Sequence, residues 1–260
     1  MSSQLLVFSE EPGGIVRILL NDPDTRNAMS EAMAEAFAAV VRELRKREDV
    51  RVVVLTGAGR AFSGGGHLEM LFDKTKLERQ QNVELMQQFY RQFLSITELE
   101  VPVVAAINGH AVGAGLCLAM ACDVRIAVQE AKLGLNFVQL GLHPGMGATY
   151  FLPRLVGPAH AAALLFSGRI ISASEAEGLG LVNRCVPQSQ FDEVVRETVE
   201  SIAQGGPIAI RQLKASLRST FERQLDECLF REAVCQAENY SGAEFLEGIT
   251  AAREKRKPHF

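Results

Sequence analysis

The chain has 260 residues, 47% of them apolar and 22% charged, with a formal net charge of -4; it can bury a substantial core in one large α/β domain or two small ones, and it lacks the basic excess that grips nucleic acid. Five cysteines, an odd number without a C-x-x-C pair, argue against a disulfide framework or a zinc knuckle and point to a reducing compartment. Met1-Ser2-Ser3-Gln4 has no basic leader character and no apolar run nears the roughly 20 residues that span a bilayer, so a cytoplasmic protein without a membrane partner is expected.

In chain order, Ile15 to Leu20 follows Gly13-Gly14 and reads as a strand leaving a turn. Met33, Phe37, Val40, Val41 and Leu44 recur at helical spacing behind Ser30 as N-cap, which predicts a helix over residues 30 to 47. Arg51 to Thr56 is the next strand. A polar, helix-prone stretch from Leu77 to Leu99 precedes a strand at Val103 to Ile107, a helix from about Ala114 and a strand at Val124 to Val128. Such βα alternation predicts a mostly parallel sheet with helices packed on it. From about Gly147 helical patterning dominates. Ser174 and Glu177 fit a capping box, Pro187 marks a break before a helix near Phe191, and Pro207 suits a first helical turn because its missing amide would be unpaired there. The expected organisation is an α/β core over residues 1 to 200 and a helical C-terminal portion over 201 to 260.

Two small-residue segments, Ala61-Phe62-Ser63-Gly64-Gly65-Gly66-His67-Leu68 and Asn108-Gly109-His110-Ala111-Val112-Gly113-Ala114-Gly115, each follow a β-branched run. Neither has dinucleotide or phosphate-loop glycine spacing. Each alone is explained by a tight strand-to-helix turn; together they could aim two backbone amides at one oxygen, the arrangement of an oxyanion hole.

Arg26-Asn27-Ala28, Ala121-Cys122-Asp123, Leu140-Gly141-Leu142-His143-Pro144-Gly145-Met146-Gly147, Ser174 to Asn183 and Glu254-Lys255-Arg256-Lys257-Pro258 stand around these segments. In this order the set resembles the enoyl-CoA hydratase/isomerase (crotonase) superfamily over nearly the whole chain. The resemblance implies a spiral of ββα turns, C-terminal helices that support homotrimers or hexamers and cover the ligand, and a coenzyme A thioester as substrate or ligand rather than a permanently bound cofactor. It implies backbone oxyanion donors at Gly66 and Ala114; the latter stands where a helix starts, so its amide is among the unpaired first-turn donors. It also implies coenzyme A or acyl contacts at Arg26, Ala28, Phe62, Gly64, Leu68 and Lys255. Read without it, Arg26 and Lys255 are solvated charges, and Phe62 and Leu68 are core residues.

The family's hydratases carry two carboxylates at positions matching Cys117 and Phe137, and its dienoyl isomerases an aspartate at the position matching Gly145. All three are vacant here. Remaining acid or base candidates are His67, Glu69, Asp73 and His143, with His110 in the turn before the second implied donor, Ala114; a histidine titrates near neutral pH but in a turn is commonly structural. Cys117, in the first turn of a helix, would have its thiol pKa lowered by the dipole, or is a packed core residue. Three outcomes stay open: a hydratase or isomerase with atypical acid and base, a thioester hydrolase or decarboxylase, and a noncatalytic acyl-CoA-binding or structural subunit.

Overall fold

The computed structural model describes residues 5–219 and 222–259. Two sheets share one chain path. The first hairpin, β1 (Leu6–Glu11) and β2 (Ile15–Leu20), is followed by α1 (Glu31–Leu44), and then three turns of a spiral begin. The first is β3 (Val52–Gly57), β4 (Ala61–Ser63), α2 (Leu68–Asp73) and α3 (Arg79–Leu94). The second is β5 (Val103–Ile107), β6 (His110–Val112) and α4 (Ala114–Met120); the third is β7 (Val124–Val128), β8 (Lys132–Gly134) and α5 (Ala148–Ser167). After β9 (Ile170–Ser172), α6 (Ala173–Gly178) and β10 (Arg184–Val186), the chain finishes in α7 (Gln188–Ala203), α8 (Pro207–Ser219), α9 (Glu222–Tyr240) and α10 (Ala243–Glu254).

Each turn gives one strand to each sheet. The larger sheet runs β1-β2-β3-β5-β7-β10, parallel from β2 onward; the smaller runs β4-β6-β8-β9 and is parallel except at β9. This is the expected ββα spiral. β3 and β5 are buried along their whole length, as a parallel strand covered on both faces must be. The phenyl rings of Phe37 on α1 and Phe89 and Phe93 on α3 meet at centroid distances of 5.4 and 5.1 Å and join these two helices. Among the described residues no helix is long and apolar enough to cross a membrane.

The predicted strands at Val103–Ile107 and Val124–Val128 and the Ser30 cap, whose hydroxyl accepts from Met33 N, are present. Three expectations change. Helix α6 is capped by Ser172, not Ser174: β9 pairs with β8 up to Ser172, so the helix starts directly after it, and the Ser172 hydroxyl accepts from Glu175 N. Glu177 instead accepts from Cys185 N and ties α6 to β10. Helix α7 begins at Gln188 rather than near Phe191, because Pro187 itself takes the cap position. The two small-residue segments contain strands, β4 and β6, too short at three residues each to leave a periodic signal.

The Cys122-Asp123 pair and the C-terminal helices are structurally linked. One Asp123 carboxylate oxygen accepts from Val103 N and from the Lys214 ammonium, each at 2.7 Å, and Lys214 also donates to Val101 O, so α8 is pinned to the start of β5. Helix α9 is pinned by Glu232, a fully buried carboxylate that accepts from Gly147 N, Thr149 N and the Thr149 hydroxyl at the start of α5.

Burial pushes the Glu232 carboxyl from its ordinary 4.5 up to about 7, against the opposing pull of these three donors. A folded-state pKa above the unfolded one means the folded protein holds the proton longer, so this group's contribution to stability declines as pH rises from about 4.5 to about 7. The expected decline is on the order of 3 kcal/mol, and Glu232→Gln, which keeps an acceptor for the amides of α5, flattens the pH dependence of urea denaturation across that window.

Candidate active site

β4 and β6 lie side by side, with Ala61 opposite His110 and Ser63 opposite Ala111. Their pairing carries the two glycine-rich segments that follow into contact. A Cβ at Gly65 would lie 2.7 Å from Val112 O and 3.4 Å from Ala114 N, and φ there is +89°, so close approach and backbone conformation both require glycine. Asn27, buried and at positive φ, clamps the first segment from below: its amide nitrogen donates to the carbonyls of Ala58, Ala61 and Phe62, and its Oδ1 accepts from Asp22 N. Ser63 completes the clamp by donating to Asn27 O and accepting from Gly65 N. Asn108 ties the ends of β3 and β5 by exchanging hydrogen bonds with the Gly57 backbone.

The result is a cavity of about 170 Å3. Gly66 and Ala114 both line it. The neighbouring amides of Gly64, Gly65 and His67 are bonded to Arg26 O, Ser63 Oγ and Met29 O, and that of Gly113 to Gly134 O. Among the described residues, the amides of Gly66 and Ala114 donate to no protein acceptor. Ala114 is the first residue of α4, whose dipole adds positive potential there.

The rest of the wall is apolar: Leu68, Met70 and Leu71 from α2, Met86 and Phe89 from α3, and Phe137, Leu140, Leu142 and Met146 from the segment before α5. Ala252 of α10 closes one side. Arg253 holds that helix against α2 through Glu69 at 3.3 Å, with its guanidinium 5.0 Å from the Phe72 ring centroid. Polar side chains enter the wall at Asn136, Tyr90 and Gln236. Tyr90 donates to Gln236 Oε1 at 2.5 Å, and Gln236 Nε2 donates to His143 O at 2.8 Å.

The expected contact residues separate. Gly64 and Leu68 line the cavity and are exposed at its mouth. Phe62 is a core residue, wholly buried on β4 like its neighbours Ala61 and Ser63 and away from the lining. Arg26 is exposed and in the left-handed region, and its carbonyl holds Gly64 N; Ala28 is buried, with its amide bonded to the Thr25 hydroxyl. Lys255 is exposed just past α10.

None of the sequence-derived acid or base candidates lines the cavity. Asp73 pairs with Lys76, which holds its carboxyl below the ordinary range, and Glu69 is turned outward to Arg253. His67 precedes α2, where its carbonyl accepts from Leu71 N. His143 is half-buried with Nδ1 2.7 Å from Pro144 O, and burial lowers its pKa. His110 is exposed and its Nδ1 accepts from Lys132 N. Cys117 is fully buried behind the wall, donating to Gly145 O at 3.4 Å; burial raises its thiol pKa strongly, overriding the dipole effect expected from its place in α4. No three His, Cys, Asp or Glu side chains come together as a metal site among the described residues.

The fold and this cavity match known proteins. A family model described as enoyl-CoA hydratase/isomerase covers residues 10–260. The chain belongs to the enoyl-CoA hydratase/isomerase family. It is 34% identical to the human enoyl-CoA hydratase domain-containing protein 2, mitochondrial, over 95% of this chain and 85% of that one. Among solved structures, an enoyl-CoA hydratase from Bacillus anthracis is 35% identical with a TM-score of 0.78, covering 99% of both chains. One from Mycobacterium avium subsp. paratuberculosis K-10 is 28% identical with a TM-score of 0.87, covering 99% of this chain and 98% of that one.

Tyr90 and Gln236 were not found from sequence, and they explain why Gly145 bears no side chain. A Cβ on Gly145 would overlap the Tyr90 hydroxyl and lie 2.7 Å from Gln236 Nε2. The space for a carboxylate there is taken by a neutral pair. Gly145→Ala is expected to cost about 1–3 kcal/mol through overpacking, read as a lower urea midpoint at unchanged m-value, and Tyr90→Phe in the same chain should restore part of the loss.

Proposed function

We propose that this protein binds an acyl-CoA thioester and polarises its carbonyl between the amides of Gly66 and Ala114. The observation that carries this reading is that two amides without protein acceptors, one at a helix N-terminus, line a single apolar cavity. Charge that develops on the oxygen of an enolate or a tetrahedral adduct would be stabilised there. The exposed positions of Gly64 and Leu68 support an exit for the pantetheine arm at the mouth, and exposed Arg26 and Lys255 are the cations proposed for the phosphates. Exposed Ile208, Leu213 and Leu217 on α8 support the trimer or hexamer.

The wall also supports a choice of chemistry. Two-carboxylate hydration needs a base for water and an acid for the α-carbon, and among the described lining residues Tyr90 is the titratable group, held neutral because burial lifts its pKa well above the ordinary value. Decarboxylation, in which loss of carbon dioxide leaves the enolate and solvent then protonates it, needs no base from the protein and fits this wall better. The same neutrality favours a second reading, acyl-CoA binding without turnover.

Butyryl-CoA is expected to bind in calorimetry, while crotonyl-CoA hydration stays at the buffer rate. Rapid hydration would overturn the chemical part of the proposal. Release of free thiol, or of carbon dioxide from an α-carboxylated thioester, selects the enzymatic reading; binding with neither selects the second. Ala114→Pro removes one proposed donor at a first-turn position that tolerates proline and should lower any turnover about a hundredfold or more; unchanged turnover in a folded variant would remove Ala114 from the hole.

A further inference from the structure

We propose that the Tyr90–Gln236 pair is a subsite for a hydroxyl group carried on the acyl chain; the proposal rests on the acyl-CoA reading above. Both side chains line the cavity yet are only 1% and 2% exposed, so they belong to its buried end, whereas Gly64 and Leu68 on the same lining are exposed. An acyl chain whose thioester lies at Gly66 and Ala114, with coenzyme A leaving through the mouth, extends toward this end.

The hydrogen-bond capacity of the pair decides the chemistry. The Gln236 amide is oriented by its surroundings: Nε2 faces the His143 carbonyl, which only a donor can do, and Oε1 faces the hydroxyls of Tyr90 at 2.5 Å and Tyr240 at 3.4 Å. Tyr90 thereby commits its one hydrogen to Gln236 and keeps its oxygen as an acceptor. Gln236 commits one of its two Nε2 hydrogens to His143 and keeps the other. One donor and one acceptor remain at adjacent atoms, both packed against the bare Gly145 Cα, and both residues line the cavity.

A hydroxyl matches both, accepting from Gln236 and donating to Tyr90. A carbonyl would satisfy Gln236 but face the Tyr90 oxygen with no hydrogen between them. Among the described lining residues a carboxylate would meet no cation and an ammonium no anion. A saturated chain would leave both groups unpaired, and sites built to bond a hydroxyl discriminate strongly against analogues without one.

The test is calorimetry with butyryl-CoA, 3-hydroxybutyryl-CoA and 4-hydroxybutyryl-CoA on the full chain. At least one hydroxy isomer should bind about tenfold or more tightly than butyryl-CoA, and the ratio of the two dissociation constants should fall toward one in Tyr90→Phe. Gln236→Met should collapse the same ratio, which serves if Tyr90→Phe does not fold. Equal binding of all three thioesters by the wild-type chain, or a preference that survives in a folded variant, overturns the subsite while leaving the acyl-CoA reading intact. Failure to bind any of the three overturns that reading and the subsite with it.

Discussion

The site depends on the parallel pairing of two three-residue strands, β4 and β6. Each follows a longer buried strand of the main sheet, and their register of Ala61 with His110 and Ser63 with Ala111 brings the Gly64–Gly66 and Gly113–Ala114 backbones to one cavity wall. So short a pairing holds because the polar groups around it are satisfied. Asn27 collects three carbonyls of the first segment, Ser63 bridges back to Asn27, and Asn108 locks the strand ends. Fixing these groups in the folded protein holds the Gly66 and Ala114 amides in place, as the proposed role of preorganised donors requires.

The opposite wall shows how packing and chemistry are coupled. The three positions that the family resemblance matches to carboxylates are neighbours: Phe137 and Gly145 line the cavity, and the Cys117 thiol is bonded to Gly145 O. A carboxylate at any one of them would need a cation or several donors to offset desolvation. Phe137 instead extends the apolar lining, Cys117 fills core space, and Tyr90 with Gln236 fills the volume above Gly145. Together they make a neutral, hydrogen-bonding wall in place of the acid–base wall that the family resemblance implies.

Helix α9 supplies much of that change. Glu232, Gln236 and Tyr240 stand four residues apart on one face and are all buried. Glu232 caps α5, Gln236 reaches the cavity, and Tyr240 supports Gln236. In a sequence, glutamate and glutamine at helical spacing suggest a solvated face, so this stripe has the appearance of surface. It is interior because its acceptors and donors belong to α3, α5 and the segment around His143, up to 154 residues away.

Sequence by itself determined four of the six strands of the main sheet, β2, β3, β5 and β7, the Ser30 and Pro207 helix starts and the glycine-rich segments, because β-branched runs, caps and small residues act locally. Gly66 and Ala114 were named by motif alone, and their shared cavity followed from the fold. Tertiary structure alone decided which polar groups face the ligand space. Glu69 and Asp73 are drawn outward by Arg253 and Lys76, His143 turns to the Pro144 carbonyl, and Phe62 enters the core. Tyr90 and Gln236 enter the wall through a hydrogen bond between helices distant in sequence, and no local pattern encodes which partner a buried polar group will find.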